Sequence, residues 1–194
     1  MDLFKKKAKK QKTTSQQLDD ASISFEELPP LNSSKTPPTI SELQKQYDRE
    51  SEILINNPNT TEVDKTALSF LAYGLDFTDF SKANFNVELT FAERDIDIVE
   101  QIAGQAHKAY VSNQLPEESL LSYAKMFAGY MGLLILIHKG GEWIAEVPSQ
   151  KEAGPGISQS DGNIYFVLSK AFRRIQNGSG DNLIHFYRLI EYTL

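Results

Sequence analysis

The chain has 194 residues, 40% of them hydrophobic, a net charge of −6 and no cysteine. Without cysteine there are no disulfides, thiolate nucleophiles or cysteine-held zinc, and a cytoplasmic location is the expectation because no apolar leader follows the basic start. Six lysines against Asp2 give residues 1–12 a net of +5 and leave −11 on the remainder. An acidic body of this kind gains nothing from phosphate neutralisation, so nucleic acid is an improbable partner except through the arm.

Residues 1–40 read as a disordered basic and polar arm, with a lysine run, a Gln/Ser/Thr/Asp stretch and the pairs Pro29-Pro30 and Pro37-Pro38. Such a segment buries too little apolar surface to offset its ordering entropy. Lys5, Lys6, Lys7, Lys9 and Lys10, beside Leu3 and Phe4, are its candidate contacts with anionic lipid, each worth about 1 kcal/mol near such a surface. Residues 41–194 read as a single globular domain, a length that suits one hydrophobic core.

The first helix is expected from Ser41, as its N-cap, to Asn56-Asn57-Pro58. A second spans residues 61–75, where Thr61 and Asp64 stand at capping-box spacing and Leu68, Leu71, Ala72 and Leu75 share a face. Phe77, Phe80 and Phe85 then sit among polar residues and read as an irregular or short-helical connection over the core. Thr90 and Glu93 repeat the capping spacing, ahead of a helix over residues 93–112 with Ile96, Val99, Ala103, Ala106 and Tyr110 in register.

The fourth helix is the most apolar. Pro116, Glu117 and Glu118 suit its first turn, and Leu120, Ala124, Phe127, Ala128, Met131, Leu134, Ile135 and Ile137 lead to a stop at Gly140-Gly141. Its uninterrupted apolar run covers only residues 126–137, next to Lys125, which fits a buried core helix better than a membrane span. Ala124, Ala128 and Gly132 form a small-residue stripe against which helix 93–112 is the expected partner. Gly140 or Gly141 is expected at positive φ, with the sole tryptophan, Trp143, buried at the start of a strand over residues 143–147.

Residues 148–162 are turn-rich, with Ile157 in a short pairing strand. A helix over residues 164–176 follows and ends on Asn177-Gly178, with Lys170, Arg173 and Arg174 opposite its apolar face as a small basic patch for solvent or an acidic partner. Asp181 is the expected N-cap of a last helix carrying a polar stripe of His185, Arg188 and Glu191. The fold class is therefore α+β: a mainly helical domain with a central apolar helix and a small antiparallel β-hairpin.

No catalytic, cofactor-binding or metal-ligating set emerges. There is no G-x-S-x-G elbow, and His107, His138 and His185 lie far apart, His138 reading as a cap on the apolar helix. Asp97, Glu100 and His107 occupy adjacent turns of one helix and are the only candidate polar site, weighed against an acidic solvated flank. Gly154-Pro155-Gly156 lacks the lysine of a phosphate loop, and in Gly178-Ser179-Gly180-Asp181 a carboxylate stands where an anion would bind.

One order of motifs does stand out. Gly129, Tyr130 and Gly132 on the apolar helix are followed by Gly140-Gly141-Glu142-Trp143, by Asp161-Gly162, by Arg173 to Gly178, and by Asp181, Leu183, Phe186 and Tyr187. Over residues 127–187 this resembles a family of small, uncharacterised bacterial cytoplasmic domains, some found near toxin-immunity clusters. Leu133 stands where those relatives carry glutamate, so no role of that carboxylate transfers. The resemblance implies a fold and a bacterial source. With the acidic body and the missing catalytic set, it leads to the expectation of a non-enzymatic, cytoplasmic interaction protein, immunity-like, that binds a protein partner through its acidic surface. A peripheral membrane protein tethered by the arm, and an enzyme of unrecognised type, are the alternatives.

Overall fold

A computed structural model describes residues 36–190. The lysine arm, with the lipid contact expected of Lys5, Lys6, Lys7, Lys9 and Lys10, lies outside the described residues. Six helices and three short strands follow one another as α1 (Ile40–Asn56), α2 (Glu62–Phe85), α3 (Asp95–Val111), α4 (Glu117–His138), β1 (Glu142–Ile144), β2 (Gly156–Ser158), β3 (Ile164–Tyr165), α5 (Val167–Asn177) and α6 (Leu183–Leu189). This is the mainly helical α+β architecture that the sequence leads one to expect.

Two helices begin on capping boxes, in which a threonine hydroxyl and a carboxylate three residues on satisfy each other's backbone N–H. At α2 the pair is Thr61 and Asp64, as its spacing predicts, with bonds of 2.9 and 3.1 Å. At α1 it is Thr39 and Glu42, at 2.7 and 3.2 Å, and not Ser41.

Helix α2 does not stop near Leu75 but continues to Phe85 and closes on Asn86, whose φ of 54° turns the chain out of the helix. Phe77 is fully buried, 4.8 Å from the ring of Phe127 and 5.4 Å from that of Tyr130. Burial of such a ring is worth about 1.5–3 kcal/mol and outweighs the modest helix propensity of Asp76, Thr78, Asp79 and Ser81.

Helix α4 is the centre, and from Phe127 to Ile135 every residue is buried. By length and composition it could cross a membrane, yet 61% of its most apolar window is covered by the rest of the fold. It packs most extensively on α2 and then on α5, and touches α3 only slightly. The expected pairing with helix 93–112 is therefore replaced. The closest approach uses Gly129, where a Cβ would lie 2.5 Å from the Gly74 nitrogen and 2.7 Å from the Phe70 carbonyl oxygen. Gly132, the end of the expected stripe, faces the indole of Trp143 instead of a helix.

The turn after α4 needs two glycines. Gly140 and Gly141 have φ of 84° and 99°, a region that L side chains rarely adopt. Beyond them the strands form an antiparallel sheet in the order β1-β2-β3, with Trp143 opposite Ile157 and Ile157 opposite Tyr165. Ile164 thus belongs to a third strand rather than to the first turn of a helix, and α5 starts at Val167. Trp143 is buried, 4.7 Å from the Phe70 ring, so the sheet is clamped onto α2 as well as α4. The last helix is capped by Asn182, which accepts from the His185 N–H at 2.8 Å, and not by Asp181.

Candidate functional site

The structure does not assemble Asp97, Glu100 and His107 into one site. Asp97 is exposed. Glu100 points to α5, accepting from Arg174 Nε at 2.9 Å and Nη2 at 2.7 Å, and with its second oxygen from the Leu183 N–H at 2.9 Å. The Nδ1 of His107 lies 2.8 Å from the Ile175 carbonyl oxygen. The two groups pin α3 to α5 and α6. Among the described residues no three His, Asp or Glu side chains stand close enough to share a metal ion.

The basic trio of α5 is divided. Arg174 lies inside, only 5% exposed, because Glu100 on a distant turn supplies its counter-charge; the solvated face expected for it is corrected on this point. Lys170 reaches Asp181 at 3.0 Å and Arg173 stands 3.8 Å from the same carboxylate, with only Arg173 largely exposed. Burial opposes ionisation of Asp181, but hydrogen bonds from Asn177 and Lys170 and the nearby cations outweigh it and hold its carboxyl below the ordinary range.

A second group of ionisable residues is buried at the heart of the molecule, where Thr90 and Glu93 do not form the expected capping box. No side chain caps α3; instead Asp95, its first residue, reaches back to the loop, accepting from the Thr90 and Ala92 N–H groups at 2.7 and 3.2 Å and from the Tyr130 hydroxyl at 2.7 Å. The same hydroxyl accepts from the Phe91 N–H at 2.9 Å, while His138 Nε2 lies 2.7 Å from the Phe91 carbonyl oxygen. Phe91 is thereby held at a φ of 57°, unusual for a bulky residue, with its ring stacked on Tyr130 at 4.5 Å. His138, in the last turn of α4 where the sequence places it, is thus also a buried clasp on this loop. Glu93 turns inward to Lys139 at 3.4 Å and accepts from the Tyr187 hydroxyl at 2.9 Å, with the Lys139 ammonium 5.0 Å from the Tyr187 ring centre.

Burial, reinforced by the neighbouring Asp95 carboxylate, holds the Tyr130 phenol protonated far above the usual tyrosine range. Every member of this group is at most 7% exposed. It acts as a set of polar struts joining the loop before α3 to the end of α4 and to α6.

Among the described residues one open feature is a groove of about 890 Å³ between the C-terminal half of α2, α3 and the first half of α4. Its floor is apolar, built from Phe80, Phe85, Ile102, Ala106, Tyr123 and Phe127. Phe80 organises it, meeting Phe85 and Tyr123 edge-on with ring centres 5.6 and 5.5 Å away. Asn84, Gln105, Lys108, Ser112 and Gln114 form the rim, all exposed and with Lys108 as the only charge. The aromatic run Phe77, Phe80 and Phe85 carries the sequence signal for this groove, but reading it as an irregular core cover hides the continuous helical wall that presents Phe80 outward.

No family model, no curated protein and no solved structure matches this chain.

Proposed function

We propose that this is a non-enzymatic, cytoplasmic protein-interaction domain whose contact surface is the groove between α2, α3 and α4. The observation that carries the reading is the composition of that groove: half-buried aromatic rings on the floor and an uncharged polar rim interrupted by one lysine. An apolar centre depleted of charge inside a polar rim is the anatomy of a protein contact, and aromatic anchors supply most of its binding energy. The ionisable side chains that would serve chemistry are spent elsewhere, since Glu93, Asp95, Glu100, His107 and Arg174 each hold one element to another.

The test is affinity capture from a bacterial cytoplasm with the intact chain and with Ala109→Arg, which puts a long cation into the groove. Tyr123→Ala serves as an independent variant and Arg173→Glu as a control outside the groove. A stoichiometric protein retained by the wild type and the control, and lost with both groove variants, supports the reading. Capture of no such protein at low and moderate salt, or equal capture by all four chains, would end it.

A further inference from the structure

We propose that the segment seated in this groove is a single amphipathic α-helix of the partner, with aliphatic residues along one face and a carboxylate on its flank opposite Lys108. This rests on the reading of the groove as a protein contact. The walls of the groove select a helix. They come mainly from α2, α3 and α4, with Ser112 and Gln114 from the turn between α3 and α4, and the main-chain groups of the helical residues are committed to their own ladders. An extended peptide gains affinity by adding to a free sheet edge, and none borders this groove; the strands belong to the sheet beyond α4. Affinity must therefore come from side chains entering from one face.

The floor fits such a face. Phe80, with Phe85 and Tyr123 set edge-on to it, makes a trough backed by Ile102 and Phe127. A helix delivers side chains to one line at i, i+3, i+4 and i+7, covering about 11 Å in seven residues. The rim then fixes orientation. Asn84, Gln105 and Gln114 are amides that tolerate either charge, whereas Lys108 is the single cation, so a carboxylate beside the apolar face is favoured and a lysine there is repelled.

The experiment uses the full chain and a panel of 18-residue alanine-based helical peptides with Leu, Ile or Met at the four apolar positions. Each is made with Glu on the flank, with Lys on the flank, and with a central proline that breaks the helix. Binding is followed by methyl NMR shifts of Ala106 and Ala109. At least one Glu-flanked helix is expected to bind with a Kd below 1 mM, tenfold or more tighter than its proline-broken and Lys-flanked versions. Lys108→Glu should reverse the flank preference and Ala109→Arg should abolish binding.

Equal binding of the broken peptides, shifts confined to another face, or no binding by any member of the panel would overturn the inference. If the captured cytoplasmic protein is still lost on Ala109→Arg while the peptides fail in one of these ways, the groove remains a protein contact and only its helical occupant is withdrawn. If capture is also insensitive to the groove variants, both fall.

Discussion

Gly129 of α4 and Gly74 of α2 meet backbone to backbone, so closely that a Cβ on the first would sit 2.5 Å from the nitrogen of the second. The crossing of the two longest helices depends on this pair, because the atoms in the way are main chain and cannot rotate aside.

Gly129→Ala should therefore destabilise the fold at the upper end of the ~1–3 kcal/mol expected for overpacking. Gly180→Ala is the control, since its Cβ would meet nothing within 4 Å, and a change within about 0.5 kcal/mol is expected there. Urea unfolding of the two variants beside the wild type measures both.

The buried ion pair of Glu93 and Lys139 makes a second prediction. Glu93→Ala takes away the carboxylate that lies 3.4 Å from the ammonium and accepts from Tyr187. Removing one partner of such a pair costs about 3–5 kcal/mol, whereas replacing both by apolar groups is often close to neutral. The double variant Glu93→Leu/Lys139→Met should consequently be more stable than Glu93→Ala, and a double-mutant cycle in urea should return a coupling of about 1–3 kcal/mol.

Stability should also fall at high pH because of Tyr130. Its phenol stays protonated in the folded state well above the ordinary value of 10.0, through burial and the Asp95 carboxylate. The unfolded chain loses that proton above pH 10 while the native chain keeps it. The contribution is thus complete below pH 10 and declines as pH rises beyond it, by up to about 1.4 kcal/mol per pH unit for one proton. Tyr130→Phe removes this dependence and leaves the Phe91 N–H without its hydroxyl acceptor, so at neutral pH it should destabilise by about 1–3 kcal/mol. Chemical unfolding of both chains between pH 8 and 11 measures the two effects.

Thr61→Ala breaks a reciprocal cap that is fully formed. A loss of about 1 kcal/mol is expected, without change in the m-value.

Where the sequence is legible, local physics decides the outcome. The apolar run of α4 admits no exposed face, Gly140-Gly141 ends it at positive φ, and Trp143 lies in a short strand, buried against Phe70. Where it misleads, a distant partner decides. Arg174 looks like a surface cation until α3 brings Glu100 beside it, 74 residues away in the chain. Glu93 stands at the spacing of a helix cap, yet Lys139 and Tyr187 draw it inside, and the Thr90 N–H it would have taken goes to Asp95. The groove is half-visible: its aromatic residues are conspicuous, but the wall that holds Phe80 outward exists because Phe77 is buried on α4.

The bond from Tyr187 to Glu93 joins residues 94 positions apart. At about 5–20 residues per second of synthesis, Glu93 and its loop leave the ribosome roughly 5–20 s before the hydroxyl they will receive. During that interval Lys139 can already pair with the carboxylate, but the bond to α6 is missing. The loop therefore acquires its complete set of native bonds only when the last helix arrives, although the helix that it caps off and the one it leans on are already made.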